Sequence, residues 1–176
     1  DDASKQISDT KETGEINICI NANRRIVMSA LEKFKQQYPK IHIRTMMFCD
    51  PLSENFDLVI GCDEKLCGYK SELLLCETIG IAVNKNNPLA ETFNADIFKE
   101  QAFVTTSQKS SLYITTTAIC KDFGFTPNIA IQSDDPFYIR KCVDLGLGIA
   151  VVPLFSWQGQ YGEDTVLREL EGYRRS

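Results

Sequence analysis

A strand–helix–strand pattern between residues 15 and 45 limits the possible folds more than any other part of this sequence. Residues 15–20 read EINICI and residues 41–45 read IHIRT, and apolar side chains at alternating positions are typical of strands. Between them, residues 24–38 carry apolar side chains at helical spacing, and Pro39 ends the helix. Two strands joined by one helix over about 30 residues run parallel. The sequence therefore predicts an α/β fold.

A second series of alternating elements follows. Strands are predicted at 57–61, 71–85 (broken near Thr78–Gly80, as two strands or one long bent strand), 102–106, 128–132, 148–152 and 165–170, with helices at 92–100, 111–123 and from Pro136. The strand at 57–61 is expected to be buried on both faces. Ser133 to Asp135 precede Pro136 and predict a capped helix start, and Gly146 suits the left-handed position after its end. Two similar α/β units indicate two lobes.

Composition excludes several classes of protein. Charged residues make up 24% and hydrophobic residues 43%, which is ordinary globular composition. No apolar run approaches the roughly 20 residues that span a bilayer, so we expect no membrane segment. A net charge of -5 argues against direct binding of nucleic acid. The chain begins with Asp1 and shows no signal peptide, which predicts a processed or excised piece whose residues 1–13 are a linker.

The cysteines favour a reducing compartment, so a cytoplasmic location is predicted. There are seven, an odd number without C-x-x-C spacing: Cys19, Cys49, Cys62, Cys67, Cys76, Cys120 and Cys142. Several lie in apolar runs, where reduced thiols behave as small hydrophobic groups. The one histidine, His42, lies in a predicted strand, so we expect no metal site.

We also expect no catalytic residues and no cofactor. With a single histidine, a serine or cysteine nucleophile lacks its usual general base. No phosphate-binding P-loop occurs, and the glycines of GLGIAVVP lead from a helix into a strand, whereas a dinucleotide fingerprint leads from a strand into a helix.

Three predicted strands end in polar loops that begin helices, and these loops are the candidate binding residues. They are Asn21–Arg25, Ser107–Ser111 and Ser133–Asp135. Ligands bind at the carboxyl ends of parallel strands, where unpaired backbone amides favour anions. A cleft for a small polar or anionic molecule would be lined by Asn21, Asn23, Thr105, Thr106, Ser107 and Ser133. The alternatives are that these residues only cap helices, that Arg24 and Arg25 point into solvent, and that Asp134 and Asp135 repel an anion.

The chain resembles the effector-binding domain of LysR-type transcriptional regulators. GEINICI followed by ALEKFKQQYPKIHIRT is similar to the start of that domain, DLVIG to its third strand, and CVDLGLGIAVVP at 142–153 to its late helix–strand signature. The resemblance covers residues 14–170. It implies a two-lobed type 2 periplasmic-binding-protein fold with a ligand cleft between the lobes. Lobe one would comprise 14–83 plus 154–176, and lobe two 84–153.

The family's ligand positions correspond here to Asn21–Arg24, Thr105–Ser107 and Ser133–Asp134, which adds Arg24 and Asp134 to the candidates. The resemblance implies a homodimer or tetramer whose geometry responds to a small-molecule effector. Promoter DNA would be bound through an N-terminal winged helix-turn-helix that has no counterpart here, and residues 1–13 would be the remnant of its linker helix. A free-standing solute-binding protein of the same fold is the alternative, and a redox-sensing Cys62–Cys67 pair is a further hypothesis.

Overall fold

The computed structural model describes residues 13–47, 49–61, 70–108 and 110–176. The chain divides into two compact units, Asp1–Glu64 and Lys65–Ser176. The predicted Cys62–Cys67 pair and the predicted linker, apart from Thr13, lie outside the described residues.

The first unit is a parallel sheet with one helix. Its elements are β1 (Gly14–Ile20), α1 (Arg24–Gln37), β2 (Ile41–Met47) and β3 (Leu58–Ile60). The strand order is β2-β1-β3, and β1 pairs in parallel with both neighbours. Ile18 and Ile20 of β1 pack with Val27 of α1 to form the buried core. The predicted strand–helix–strand unit is confirmed.

One burial prediction in this unit is wrong. The strand at 57–61 was expected to be buried on both faces, but Leu58 is 46% exposed. Only three residues form β3, and it pairs with β1 alone among the described strands. A short strand at the edge of a sheet leaves one side exposed to solvent, so apolar residues in it are not necessarily buried.

The second unit alternates strands and helices around a larger core. In chain order it contains β4 (Glu77–Asn84), a 3-10 turn (Pro88–Ala90), α2 (Ala95–Lys99), β5 (Ala102–Thr105), α3 (Ser111–Asp122), β6 (Asn128–Gln132), α4 (Pro136–Asp144), β7 (Ala150–Pro153), α5 (Leu154–Trp157) and β8 (Thr165–Arg175). Strand β4 lies between β7 and β8 and is antiparallel to both, whereas β5 and β6 pair in parallel.

An aromatic cluster fills the centre of this unit. Phe98 and Phe103 are fully buried, and their ring centroids lie 5.3 Å apart in an edge-to-face arrangement. Phe123 and Phe125 each approach Phe98 at 5.5 Å. Such ring pairs add to the burial of apolar area, so this cluster holds α2, α3 and β5 together.

Local signals of this unit are confirmed. The Asp135 side chain accepts a hydrogen bond from the Phe137 amide at 2.9 Å, and Pro136 occupies the first turn of α4. Gly146 follows α4 with φ 71°, the left-handed region. The strand predicted over 71–85 is only partly correct: one strand, β4, covers 77–84, residues 71–76 are not in a strand, and a register shift with β8 lies at Thr78–Gly80.

The predicted lobe bounds, 14–83 plus 154–176 and 84–153, stay a prediction. Within the second unit, β8 pairs with β4 from Thr165 to Arg175. The α/β class is confirmed in both units.

Candidate functional site

The first candidate set lies where β1 ends. Because β1 is the central strand, with α1 leading to β2 on one side and β3 on the other, its carboxyl end is the switch point at which open α/β sheets bind ligands. The Asn21 amide donates to the Ile60 carbonyl at 2.8 Å, and Asn21 Nδ2 donates to the Cys49 carbonyl at 2.9 Å. These bonds fix the Asn21 loop, residues 21–23, against the segments that follow β2 and end β3.

One polar atom of this loop has no partner. Asn21 Oδ1 is buried without a hydrogen bond to any described residue. A buried acceptor that lacks a donor is costly, and such atoms in native proteins call for a specific explanation. A donor on a bound molecule would satisfy it.

Asn23 and Arg24 begin the helix in an unusual way. Asn23 has φ 52°, in the left-handed region that asparagine tolerates better than most residues, and its side chain makes no capping hydrogen bond. Its carbonyl accepts from the amides of Ile26 at 2.9 Å and Val27 at 3.1 Å. Arg24 Nη1 lies 3.9 Å from the Met47 sulfur at the end of β2. The loop therefore positions Arg24 beside the carboxyl end of the sheet.

The second candidate set joins two loops of the second unit. Thr105 ends β5 opposite Gln132, the last residue of β6. The Ser133 amide donates to the Thr105 carbonyl at 3.0 Å, and the Ser107 amide donates to Asp134 Oδ1 at 2.9 Å. Thus the structure brings together all the candidates of this unit, which are Thr105, Thr106, Ser107, Ser133 and Asp134.

The hydroxyl groups of the two threonines in this set differ in whether they already have a hydrogen-bond partner. Thr105 is 1% exposed, and its Oγ1 has no hydrogen-bond partner among the described residues. The Thr106 hydroxyl instead bonds the Ser110 hydroxyl, and Ser110 Oγ accepts from the Tyr113 amide at 3.3 Å. Thr106 is therefore part of the cap of α3, and Thr105 carries the unused hydroxyl.

The carboxylates of this set accept hydrogen bonds from backbone amides, Asp134 from the other loop and Asp135 from the start of its own helix. Asp134 accepts from Ser107, Asp135 caps α4, and Ser133 Oγ accepts from the Asp135 amide at 3.2 Å. The cap alternative is thus correct for Asp135. That all eight predicted residues contact one effector stays a prediction.

A cavity of about 490 Å³ in the second unit is lined by residues other than the candidate residues. Its lining includes Asn84, Asn87, Gln101 and Gly146. Asn84 Nδ2 donates to the Asp144 carbonyl and Asn87 Nδ2 donates to Gln101 Oε1, each at 2.7 Å. Both side-chain amides therefore already donate to other atoms of the protein, unlike the unpartnered Thr105 hydroxyl.

The described residues contain neither a cluster of metal-ligating side chains nor a membrane-spanning helix. Within 13–47, 49–61, 70–108 and 110–176, no three or more histidine, cysteine, aspartate or glutamate side chains cluster as metal ligands would. Over the same part of the chain, no helix has the length and apolar character to cross a membrane.

Comparison with solved structures identifies the fold. The C-terminal domain of a probable LysR family transcriptional regulator from Rhodococcus sp. RHA1 matches 93% of this chain and 87% of its own, with 16% identity and a TM-score of 0.75. The regulatory domain of CcmR from Synechocystis PCC6803, solved with 2-PG, matches 93% and 85%, with 13% identity and a TM-score of 0.76. The BenM effector binding domain, solved with its effector benzoate, matches 90% and 78%, with 18% identity and a TM-score of 0.73.

The family assignment rests on a family model. No curated protein sequence matches the chain. The model of the LysR substrate binding domain matches residues 10–176, which is nearly the whole sequence. The predicted resemblance and the predicted type 2 periplasmic-binding-protein-like fold are both confirmed. This chain therefore belongs to the LysR substrate binding domain family, the effector-binding domains of LysR-type transcription regulators.

Proposed function

We propose that this chain is the effector-sensing domain of a LysR-type DNA-binding transcription regulator. One observation carries the proposal: Asn21 and Thr105 each keep a buried polar atom unpartnered at the carboxyl end of a parallel strand. Leaving such an atom unsatisfied costs about 1–3 kcal/mol, and a bound polar molecule removes that cost. The proposed contacts are Asn21, Asn23, Arg24, Thr105, Thr106, Ser107, Ser133 and Asp134.

The effector class that fits these groups is a small carboxylate or similar polar anion that also carries a hydrogen-bond donor such as a hydroxyl, because Asn21 Oδ1 only accepts. Arg24 supplies a positive charge and the Thr105 hydroxyl a hydrogen-bond donor, which together suit a carboxylate. Two structural neighbours support the anionic part of this class, since BenM was solved with benzoate and CcmR with 2-PG.

The proposed mechanism is a population shift in a cytoplasmic homodimer or tetramer. An effector that binds one arrangement of the domain more tightly shifts the population toward it, and a coupling of about 1–3 kcal/mol gives a typical allosteric response. The whole regulator would contact promoter DNA through a winged helix-turn-helix domain. This domain would bind its effector without changing it chemically.

A thermal-shift screen of small carboxylates tests the proposal, beginning with benzoate and with shikimate, with which the effector binding domain of QuiR was solved. A ligand at 100 times its dissociation constant adds about 2.7 kcal/mol to the free energy of unfolding. We expect a shift for at least one carboxylate, and NMR of the recovered ligand should show it unchanged. Conversion of the ligand would overturn the non-enzymatic role.

Two variants locate the binding site in the same screen. Asn21→Asp, which adds a negative charge, and Thr105→Val, which removes the hydroxyl, should each reduce the shift. Thr116→Val is the matched control, because Thr116 is buried in the same unit as Thr105 but its hydroxyl already donates to the Leu112 carbonyl at 2.7 Å. Equal shifts in all three variants would place the effector elsewhere.

A further inference from the structure

Two cysteines of the first unit lie side by side at the sheet's carboxyl end. Cys19 is the next-to-last residue of β1 and is fully buried, and Cys49 follows the end of β2 and is half-buried. Their Sγ atoms are 2.7 Å apart, and both thiols are free. This distance is shorter than two unbonded thiols normally keep, and a disulfide bond requires about 2.05 Å.

The backbone around the pair is well fixed. Cys19 lies in the pairing register of β1 with β2, which runs from Gly14 to Ile20. The Cys49 carbonyl accepts from Asn21 Nδ2, and the following turn is closed by hydrogen bonds from Leu52 and Ser53 to Asp50. The sulfur atoms therefore face each other because both flanking segments are held, and little movement is needed to join them.

We propose that Cys19 and Cys49 are a redox pair that closes into a reversible disulfide when the protein meets a hydroperoxide. In the first step the Cys49 sulfur attacks the peroxide O–O bond, forms a sulfenic acid and releases water after proton transfer. In the second step the Cys19 sulfur attacks the Cys49 sulfur, the S–O bond breaks, and the Cys19 thiol proton leaves with the hydroxide as a second water. Two thiols and one hydrogen peroxide thus become one disulfide and two waters.

The environments of the two thiols set this order. Burial, followed by the hydrogen bond to Cys49, raises the pKa of Cys19 to about 12, so Cys19 stays protonated at neutral pH. A protonated and fully buried thiol does not meet peroxide first. Cys49 is the more exposed of the two, so it is the point of entry, and Cys19 resolves the sulfenic acid.

The remaining described cysteines lack this arrangement. Cys120 and Cys142 are buried in the second unit, and Cys76 is exposed there. Among the described residues, the Cys19–Cys49 pair is the sulfur–sulfur contact that the structure records. In a reducing compartment, a disulfide in this position is transient and signals oxidation.

Peptide mapping tests the pair directly. The folded protein is treated with hydrogen peroxide, its remaining thiols are alkylated, and it is digested with trypsin and a glutamate-specific protease. These cuts place Cys19 in peptide 16–24, Cys49 in 45–54 and Cys62 in 55–64, so the three are resolved. We expect peptides 16–24 and 45–54 to be linked, two of the seven thiols to be lost per chain, and dithiothreitol to restore both.

Variants assign the two roles. Cys19→Ala should leave a sulfenic acid on Cys49 that dimedone traps, and Cys49→Ser should leave Cys19 unmodified and unlinked. Cys120→Ser is the control and should keep the 16–24 to 45–54 link. No link in the wild-type protein, or a Cys49–Cys62 or Cys62–Cys67 link in its place, would overturn the proposal. The experiment uses no effector, so its outcome is independent of the proposed function.

Discussion

The Arg175 guanidinium donates to Glu77 Oε1 from Nη2 at 2.9 Å and from Nε at 3.1 Å, and the two residues are 98 positions apart in the chain. Glu77 is 3% exposed and Arg175 8%. The Ser156 amide and hydroxyl donate to the same carboxylate at 2.8 and 3.0 Å. This network connects the first residue of β4 with the last residue of β8 and with α5.

Removing the Glu77 side chain should lower the urea concentration at which the second unit unfolds. Glu77→Ala removes the buried carboxylate to which Arg175 donates, and breaking a buried ion pair in this way costs about 3–5 kcal/mol. Urea denaturation followed by the fluorescence of Trp157, the single tryptophan, measures it. Asp164→Ala is the control: it removes the pair with Lys85, whose side chains are about half exposed, and should change stability far less. Equal losses in both variants would contradict the role assigned to Glu77.

Thr105→Val should make the ligand-free protein more stable. Valine has nearly the shape of threonine without the buried, unpartnered hydroxyl, so we expect a gain of about 1 kcal/mol in the free energy of unfolding. The same change should weaken effector binding about tenfold, since one hydrogen bond to the ligand is lost. Denaturation and isothermal titration measure the two effects. Thr116→Val should show the opposite pattern, with lower stability and unchanged affinity.

Effector binding by the two loops of the second unit should depend on the side-chain oxygen of residue 134, which joins the loops, and not on its negative charge. Asp134→Asn keeps an oxygen that accepts from the Ser107 amide, whereas Asp134→Ala removes it. We expect the alanine variant to weaken effector binding by several fold. The asparagine variant should bind an anion as well as the wild type or better, because it removes a negative charge. Titration at two salt concentrations distinguishes the effects, and weaker anion binding by the asparagine variant would count against this prediction.

Oxidation of the Cys19–Cys49 pair should stabilise the first unit. A cross-link between residues 30 positions apart restricts the unfolded chain, by about 3–4 kcal/mol in the chain-entropy description. Hydrogen exchange of the β1 and β2 amides, compared in oxidised and reduced protein, measures the change. Cys49→Ser serves as the control and should show no difference between the two conditions.

Cys120 should resist alkylation in the folded protein over the usual pH range. Burial raises the pKa of its thiol to about 12, so raising the pH from about 7 to about 9 does not generate the reactive thiolate. Pulsed iodoacetamide labelling and mass spectrometry measure the rate. The exposed Cys76 is the internal comparison and should be labelled first, with Cys120 following only when the second unit unfolds. Rapid labelling of Cys120 in folded protein at about pH 9 would contradict this assignment.

Most of the secondary structure could be predicted from the sequence because strand alternation, proline stops and helix caps each depend on a few neighbouring residues. The alternation of EINICI, the stop at Pro39 and the cap at Asp135 each act within a few residues, and each is confirmed. The end of β8 was missed for the opposite reason. The sequence at 173–175 resembles a basic tail. Arg175 is nevertheless part of β8, where it donates hydrogen bonds to Glu77, a partner 98 positions away.

The candidate loops were predicted only in part for a similar reason. The carboxyl ends of parallel strands can be placed from sequence, so the meeting of Thr105 with Ser133 was predictable. The unused Thr105 hydroxyl was not, because Thr106 could equally have been the one left without a partner. The approach of Cys49 to Cys19 depends on the path of the chain beyond β2, which no periodic pattern describes.

Each recorded hydrogen bond between the β5 and β6 loops uses a main-chain atom on at least one side. Ser133 meets Thr105 through an amide and a carbonyl, and Ser107 offers its amide to whichever acceptor stands at position 134. Side chains on this rim other than an acceptor at position 134 can consequently be replaced while the backbone contacts stay in place. If these loops bind the effector as proposed, a change of effector would need substitutions at the rim and would leave the backbone contacts unaltered.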